Sequence, residues 1–214
     1  MIMEKFCYMR YSSQEEKNKY NLPEDSPILQ YIEKENYMYV SAPKCASSTI
    51  RDTIPNDGWS RTKLQKAIDI SKNKYTFSFT RNPYNRILSC WNGWVKSKKG
   101  SRLFLIPGIT YGQSFSDFVN VIKDIPDELS DQHFVTLTTC LFIDKIDYNF
   151  FGKVESFNND WNKMGEEIDI PNNIRKTAVT GVGNKIDEFY TKDLIDIINK
   201  RYQKDFENFN YDFR

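Results

Sequence analysis

The chain has 214 residues, 39% of them hydrophobic and 15% aromatic, and its 30 lysines and arginines nearly cancel 29 aspartates and glutamates, for a formal charge of +1. That apolar content offsets chain entropy and excludes an intrinsically disordered protein, while the length suits a single α/β domain with a substantial core. The balanced charge excludes a global field for nucleic acid or an anionic membrane, so any anion site must be local.

Residues 1–36 are polar and interrupted by Pro23 and Pro27, and they read as an N-terminal arm with short helical pieces; the domain proper is expected over 37–214. Tyr37 to Ala42 reads as a strand, and Ser47 to Thr53 as a helix opening just after a Pro43-Lys44 turn. Tyr75 to Thr80 alternates aromatic and hydroxyl residues and reads as a second strand. Asn82 is placed to cap a helix with Pro83 at its first position, and Ile87, Leu88, Trp91, Trp94 and Val95 extend one apolar stripe toward Lys98. Lys96 to Gly112 reads as an exposed basic connection, followed by a helix around 114–123. Tyr148 to Val154 is a further strand, and Phe157, Trp161, Met164 and Ile168 stripe a helix capped by Ser156. Residues 171–185 read as a loop, and Thr191 opens a last helix with Leu194, Ile195, Ile198 and Tyr202 on its apolar face. Strands alternating with helices imply a central parallel β-sheet flanked by helices.

A strand that turns tightly into a helix presents unpaired N–H groups at the positive end of the helix dipole. Lys44 adds a full charge at that turn, Ser47, Ser48 and Thr49 add hydroxyl donors, and small residues such as Ala46 let the backbone approach an anion closely. The stretch reads either as a P-loop-like phosphate cradle without the G-x-x-x-x-G-K-[ST] pattern of a Walker loop or as an ordinary strand-to-helix turn with a surface lysine. Arg81 ends the second strand, and Ser89 lies eight residues later, about two turns into the next helix, so the two can converge on one phosphate. Two phosphate elements on neighbouring strands imply a ligand with two phosphate groups.

The stretch Pro43-Lys44-Cys45-Ala46-Ser47-Ser48-Thr49 resembles the 5′-phosphosulfate-binding loop of sulfotransferases. Arg81 to Ser89 resembles their 3′-phosphate-binding strand and helix, and Asp131-Gln132-His133, Asp147 to Glu155 and Tyr202 to Tyr211 resemble later segments. The similarity spans roughly 37–211 and is nearest to the carbohydrate (Golgi-type) sulfotransferases, with Cys45-Ala46 where some members carry glycine. It implies transfer of a sulfuryl group from 3′-phosphoadenosine 5′-phosphosulfate (PAPS) to a hydroxyl or amine of a carbohydrate or related small acceptor, without a metal. It also implies cofactor contacts from Lys44, Cys45, Ala46, Ser47, Ser48, Thr49, Arg81 and Ser89. A cationic donor is needed at the departing phosphate, a role for Lys44, and a base at the acceptor. His133, the sole histidine, is the first candidate base, and Glu155 is the competitor.

Arg86 is read either as a second phosphate contact or as the partner of a helix carboxylate. Lys96, Lys98, Lys99 and Arg102 are read as a solvated face or a grip on an acidic glycan, and 171–185, with Arg175, Lys176 and Lys185, as a mobile loop or a lid. Cys7, Cys45, Cys90 and Cys140 are scattered without zinc spacing, and neither a leader pattern nor a run of about 18 apolar residues occurs, so the expectation is a cytoplasmic protein that does not engage a membrane. Two other functions fit the same cradle: a nucleotide or sugar kinase-like phosphotransferase, and a catalytically inactive nucleotide-binding module.

Overall fold

Residues 28–55, 60–97, 106–127, 130–171, 174 and 185–214 are described by a computed structural model. Its strands are β1 (Ile28–Glu33), β2 (Tyr37–Val40), β3 (Ser60–Lys63), β4 (Tyr75–Thr80) and β5 (Phe150–Lys153), ordered β3-β1-β2-β4-β5 in one sheet. The helices are α1 (Ser47–Thr53), α2 (Leu64–Ser71), α3 (Pro83–Cys90), α4 (Phe115–Ile122), α5 (Leu137–Cys140), α6 (Phe157–Gly165), α7 (Ile186–Phe189), α8 (Lys192–Arg201) and α9 (Gln203–Asn208).

Every residue of β2 is buried, which requires cover on both faces of the sheet. Met38 and Val40 face a cluster with Leu29, Tyr31, Ala67, Leu137 and Leu141, while Tyr37 and Tyr39 face the opposite one with Phe77, Phe79, Trp161 and Met164. This two-residue alternation puts α2 and α5 on one face and α1 and α6 on the other. A third cluster, centred on Ile87, Leu88, Phe118, Phe134, Ile198 and Phe206, joins α3 to α4, α8 and α9.

The architecture is α/β, as expected, and β2, β4 and β5 run parallel. The sheet is mixed, however, because β1 pairs antiparallel with both β2 and β3. Residues 28–33, expected in an N-terminal arm, are therefore a strand of the sheet. Leu29, Tyr31 and Ile32 are all buried on one face or the other, so β1 lacks the clean alternation that marks a half-exposed strand. The rest of the expected arm, 1–27, lies outside the described residues.

Asn82 accepts a hydrogen bond from the Tyr84 amide at 3.0 Å and Pro83 opens α3, as the sequence implies. The helix does not continue uniformly toward Lys98: at Trp91–Val95 it widens into a π-turn, closed by the Lys96 amide on the Trp91 carbonyl at 2.9 Å. Ser114 and Thr191 cap α4 and α8 through their hydroxyls. Ser156 precedes α6 without capping it; its hydroxyl donates to Asp160 at 2.7 Å, and the same carboxylate oxygen accepts the Lys153 amide at 2.7 Å. Among the described residues no helix is long and apolar enough to cross a membrane.

Candidate functional site

The carboxyl ends of β2 and β4 lie side by side because the two strands are parallel neighbours, and the segments leaving them meet. After β2 the chain turns through Pro43–Ala46, with Lys44 and Ala46 both in the left-handed region, at φ 68° and 58°. That conformation is uncommon for residues with a β-carbon. Three hydrogen bonds hold it: the Cys45 amide donates to the Ala42 carbonyl at 3.2 Å, Arg81 Nη1 to the Lys44 carbonyl at 3.3 Å, and Arg86 Nε to the Pro43 carbonyl at 3.3 Å. Ser47, Ser48 and Thr49 form the first turn of α1, and Ala46 at its N-cap position supplies no side-chain acceptor. Cys45 is fully buried and faces the core, so its contribution to the turn is through the backbone.

Burial lowers the Lys44 pKa from the usual lysine range, and the neighbouring charges of Arg81 and Arg86 add to the effect. Arg81 spends one guanidinium nitrogen on the Lys44 carbonyl, while its Nε is buried with no hydrogen-bond partner. A buried, unpaired guanidinium nitrogen is a donor in want of an acceptor. On the helix that follows, Asn85 and Ser89 lie four and eight residues beyond Arg81; Ser89 is buried, and Asn85 Oδ1 also has no partner. Residues four apart share a helix face, so Asn85 and Ser89 form a polar stripe running on from Arg81. Arg81 Nε and the Ser89 hydroxyl are donors that suit a bound oxyanion.

His133 stands on a different segment. Its Nδ1 lies 2.6 Å from Asp131 Oδ1, and the same oxygen accepts the His133 amide at 2.8 Å. With Nδ1–H donating to the buried Asp131, Nε2 keeps its lone pair free as a proton acceptor. The ring packs on Trp94 with centroids 4.4 Å apart. Trp94, expected in the core beside Trp91, is half-buried: it packs against that core cluster and also against the histidine ring. Gly93, its neighbour, approaches the Lys44 ammonium, so one turn of chain adjoins both predicted catalytic side chains.

Arg86 hydrogen-bonds to backbone carbonyls rather than to a helix carboxylate. It is almost fully buried and donates to the backbone carbonyls of Pro43, Gln132 and Val135, tying the Lys44 turn to the His133 segment. A guanidinium is suited to this because five fixed donors can satisfy several carbonyls at once. Arg86→Ala leaves those acceptors buried and unpaired; we expect a loss of about 3 kcal/mol or more of stability, read as the shift in urea unfolding.

Glu155 is committed elsewhere. One carboxylate oxygen accepts the Asn82 amide at 3.0 Å and the other the Tyr211 hydroxyl at 3.2 Å, and Tyr211 also meets the Thr80 hydroxyl at 3.0 Å. It braces the start of α3 and docks the C-terminal segment on β4. Asp205 does similar work, accepting the Leu137 and Thr138 amides at 2.7 and 2.8 Å, and so fixes α5 just after His133. Cys45 and Cys90 are free thiols, and burial pushes both up to about 12, so they stay protonated. No group of three or more metal-ligating side chains occurs among the described residues. Of the basic connection, Lys96 lies over the Trp91 ring at 5.3 Å; Lys98, Lys99 and Arg102, and all of 171–185 but residues 171, 174 and 185, fall outside the described residues.

A sequence model of the sulfotransferase family matches residues 29–212, which is most of the chain and includes every site element above. The chain belongs to the sulfotransferase family. The match begins at β1, in agreement with that strand's place in the sheet. Searches of curated proteins and of solved structures returned no match. The chemistry of the family is sulfuryl transfer, and this sulfotransferase carries its charged and basic side chains around the ends of β2 and β4.

Proposed function

We propose that this sulfotransferase uses PAPS as its donor and moves the sulfuryl group to a hydroxyl, or an amine, of a carbohydrate or similar small acceptor, releasing 3′,5′-ADP. The observation that carries the reading is the pairing of two oxyanion-type elements on neighbouring strands: the Lys44 turn with the uncapped start of α1, and Arg81 with Ser89. The first suits the 5′-phosphosulfate and the second the 3′-phosphate.

The chemistry follows from charge. As the bond between sulfur and the bridging phosphate oxygen breaks, negative charge grows on that oxygen, and the Lys44 ammonium stabilises it. A new bond forms from the acceptor oxygen to sulfur, and the acceptor proton passes to His133 Nε2. Asp131 holds the imidazole in the required tautomer and stabilises the imidazolium that results. Arg86 keeps the two catalytic segments in register. Glu155, bonded to Asn82 and Tyr211, serves the frame rather than the proton transfer.

Incubation with sulfate-labelled PAPS and a panel of mono- and oligosaccharides tests this directly. Labelled product appearing together with 3′,5′-ADP, in the presence of a chelator, supports the reading. Magnesium-dependent turnover of ATP on the same panel would instead identify a phosphotransferase.

A further inference from the structure

Lys44 has little freedom at its backbone. Its carbonyl is held by Arg81, the preceding carbonyl by Arg86, and the following amide by Ala42, and its own φ of 68° leaves few alternatives. What remains adjustable is the side chain, whose tip reaches the π-turn after α3. A β-carbon built on Gly93 would lie 2.9 Å from Lys44 Nζ, closer than real contacts of that kind. The ammonium therefore occupies the space that any other residue at 93 would fill. The glycine is not needed for its backbone: it lies within the helical turn Trp91–Val95, and its φ is outside the left-handed region.

We propose that Gly93 is a positioning residue whose missing side chain seats the Lys44 ammonium where charge develops during transfer. The proposal rests on the catalytic reading of Lys44 given above. It also gives the π-turn a purpose: widening the helix at Trp91–Val95 puts a bare backbone against Lys44 and, one residue on, Trp94 against His133. Restoring ordinary contact, 3.4 Å or more, to an alanine at 93 requires Nζ to retreat by about half an ångström. Misplacement on that scale is costly for a group that acts by proximity.

Gly93→Ala separates this role from a structural one, because alanine favours a helical turn over glycine. The expected result is a melting temperature equal to or above wild type, a Kd for 3′,5′-ADP within about threefold of wild type, and turnover of labelled PAPS reduced about tenfold or more. In a Lys44→Ala background the seat is empty, so Gly93→Ala should add no further loss. Wild-type turnover in Gly93→Ala overturns the inference, provided Lys44→Ala is impaired; wild-type turnover in Lys44→Ala overturns the reading of Lys44 and this inference with it. A lowered melting temperature, or a loss in ADP affinity that accounts for the loss in rate, shows that the glycine serves folding or ground-state binding and also overturns it.

Discussion

Lys44→Met is expected to lower turnover by about 10²- to 10³-fold, the usual cost of removing one preorganised donor from a developing anion, while the unliganded protein becomes no less stable. The two effects have one origin. Burial and the charges of Arg81 and Arg86 lower the Lys44 pKa in the folded state, so the ammonium is held at a cost until an anion is bound. The linkage has a definite sign. Between the lowered folded pKa and the ordinary unfolded value, the unfolded chain carries more protons, so the stability of the wild type rises as pH climbs through that window. Methionine fills a similar volume without charge and removes this alkaline gain. Melting temperatures measured against pH, with and without 3′,5′-ADP, check the expectation. A variant that melts well below wild type without ligand, or that retains wild-type turnover, contradicts it.

His133→Ala is expected to reduce turnover by about 10²- to 10⁴-fold, the range for loss of a general base, with 3′,5′-ADP affinity unchanged. The fold should survive. Asp131 Oδ1 accepts both the imidazole and the amide of residue 133, and the amide bond remains in the variant. Phe134 and Val135, whose amides donate to the Asp131 carbonyl, keep the segment in place. Nucleotide binding should be indifferent because the proposed phosphate elements stand on β2, β4, α1 and α3, not on this segment. Single-turnover rates measured beside ADP affinity separate the two effects. Equal losses in rate and affinity would point to a collapsed segment, and undiminished turnover would remove the histidine from the mechanism.

How far the sequence reveals this arrangement depends on how local the causes are. The turn after β2, helix α1 over Ser47–Thr53, strand β4 over Tyr75–Thr80 and the Asn82-Pro83 start of α3 all follow from neighbouring residues, and each lies where the sequence puts it. Strands β1 and β3 depend on pairing across the chain, and both escape a local reading. Arg86 shows the same limit in a side chain. Nothing in its helix indicates that its partners are carbonyls 43, 46 and 49 residues away. The π-turn hides similarly, because Trp91 and Trp94 fit an ordinary apolar stripe and the contact of Trp94 with His133 joins distant parts of the chain. Asp131 stands only two residues before the histidine, and the two side chains pair.

The claim on which the account turns is that two phosphate elements bind one nucleotide, and comparing 3′,5′-ADP with 5′-AMP as stabilising ligands tests it without knowledge of the acceptor. At a hundredfold excess over Kd, a bound ligand stabilises by about 2.7 kcal/mol. The account predicts a clear rise in melting temperature with 3′,5′-ADP, a much smaller rise with AMP at the same concentration, and loss of the difference in Arg81→Ala, whose unpaired Nε is assigned to the 3′-phosphate. Equal shifts for the two nucleotides in the wild type would contradict it.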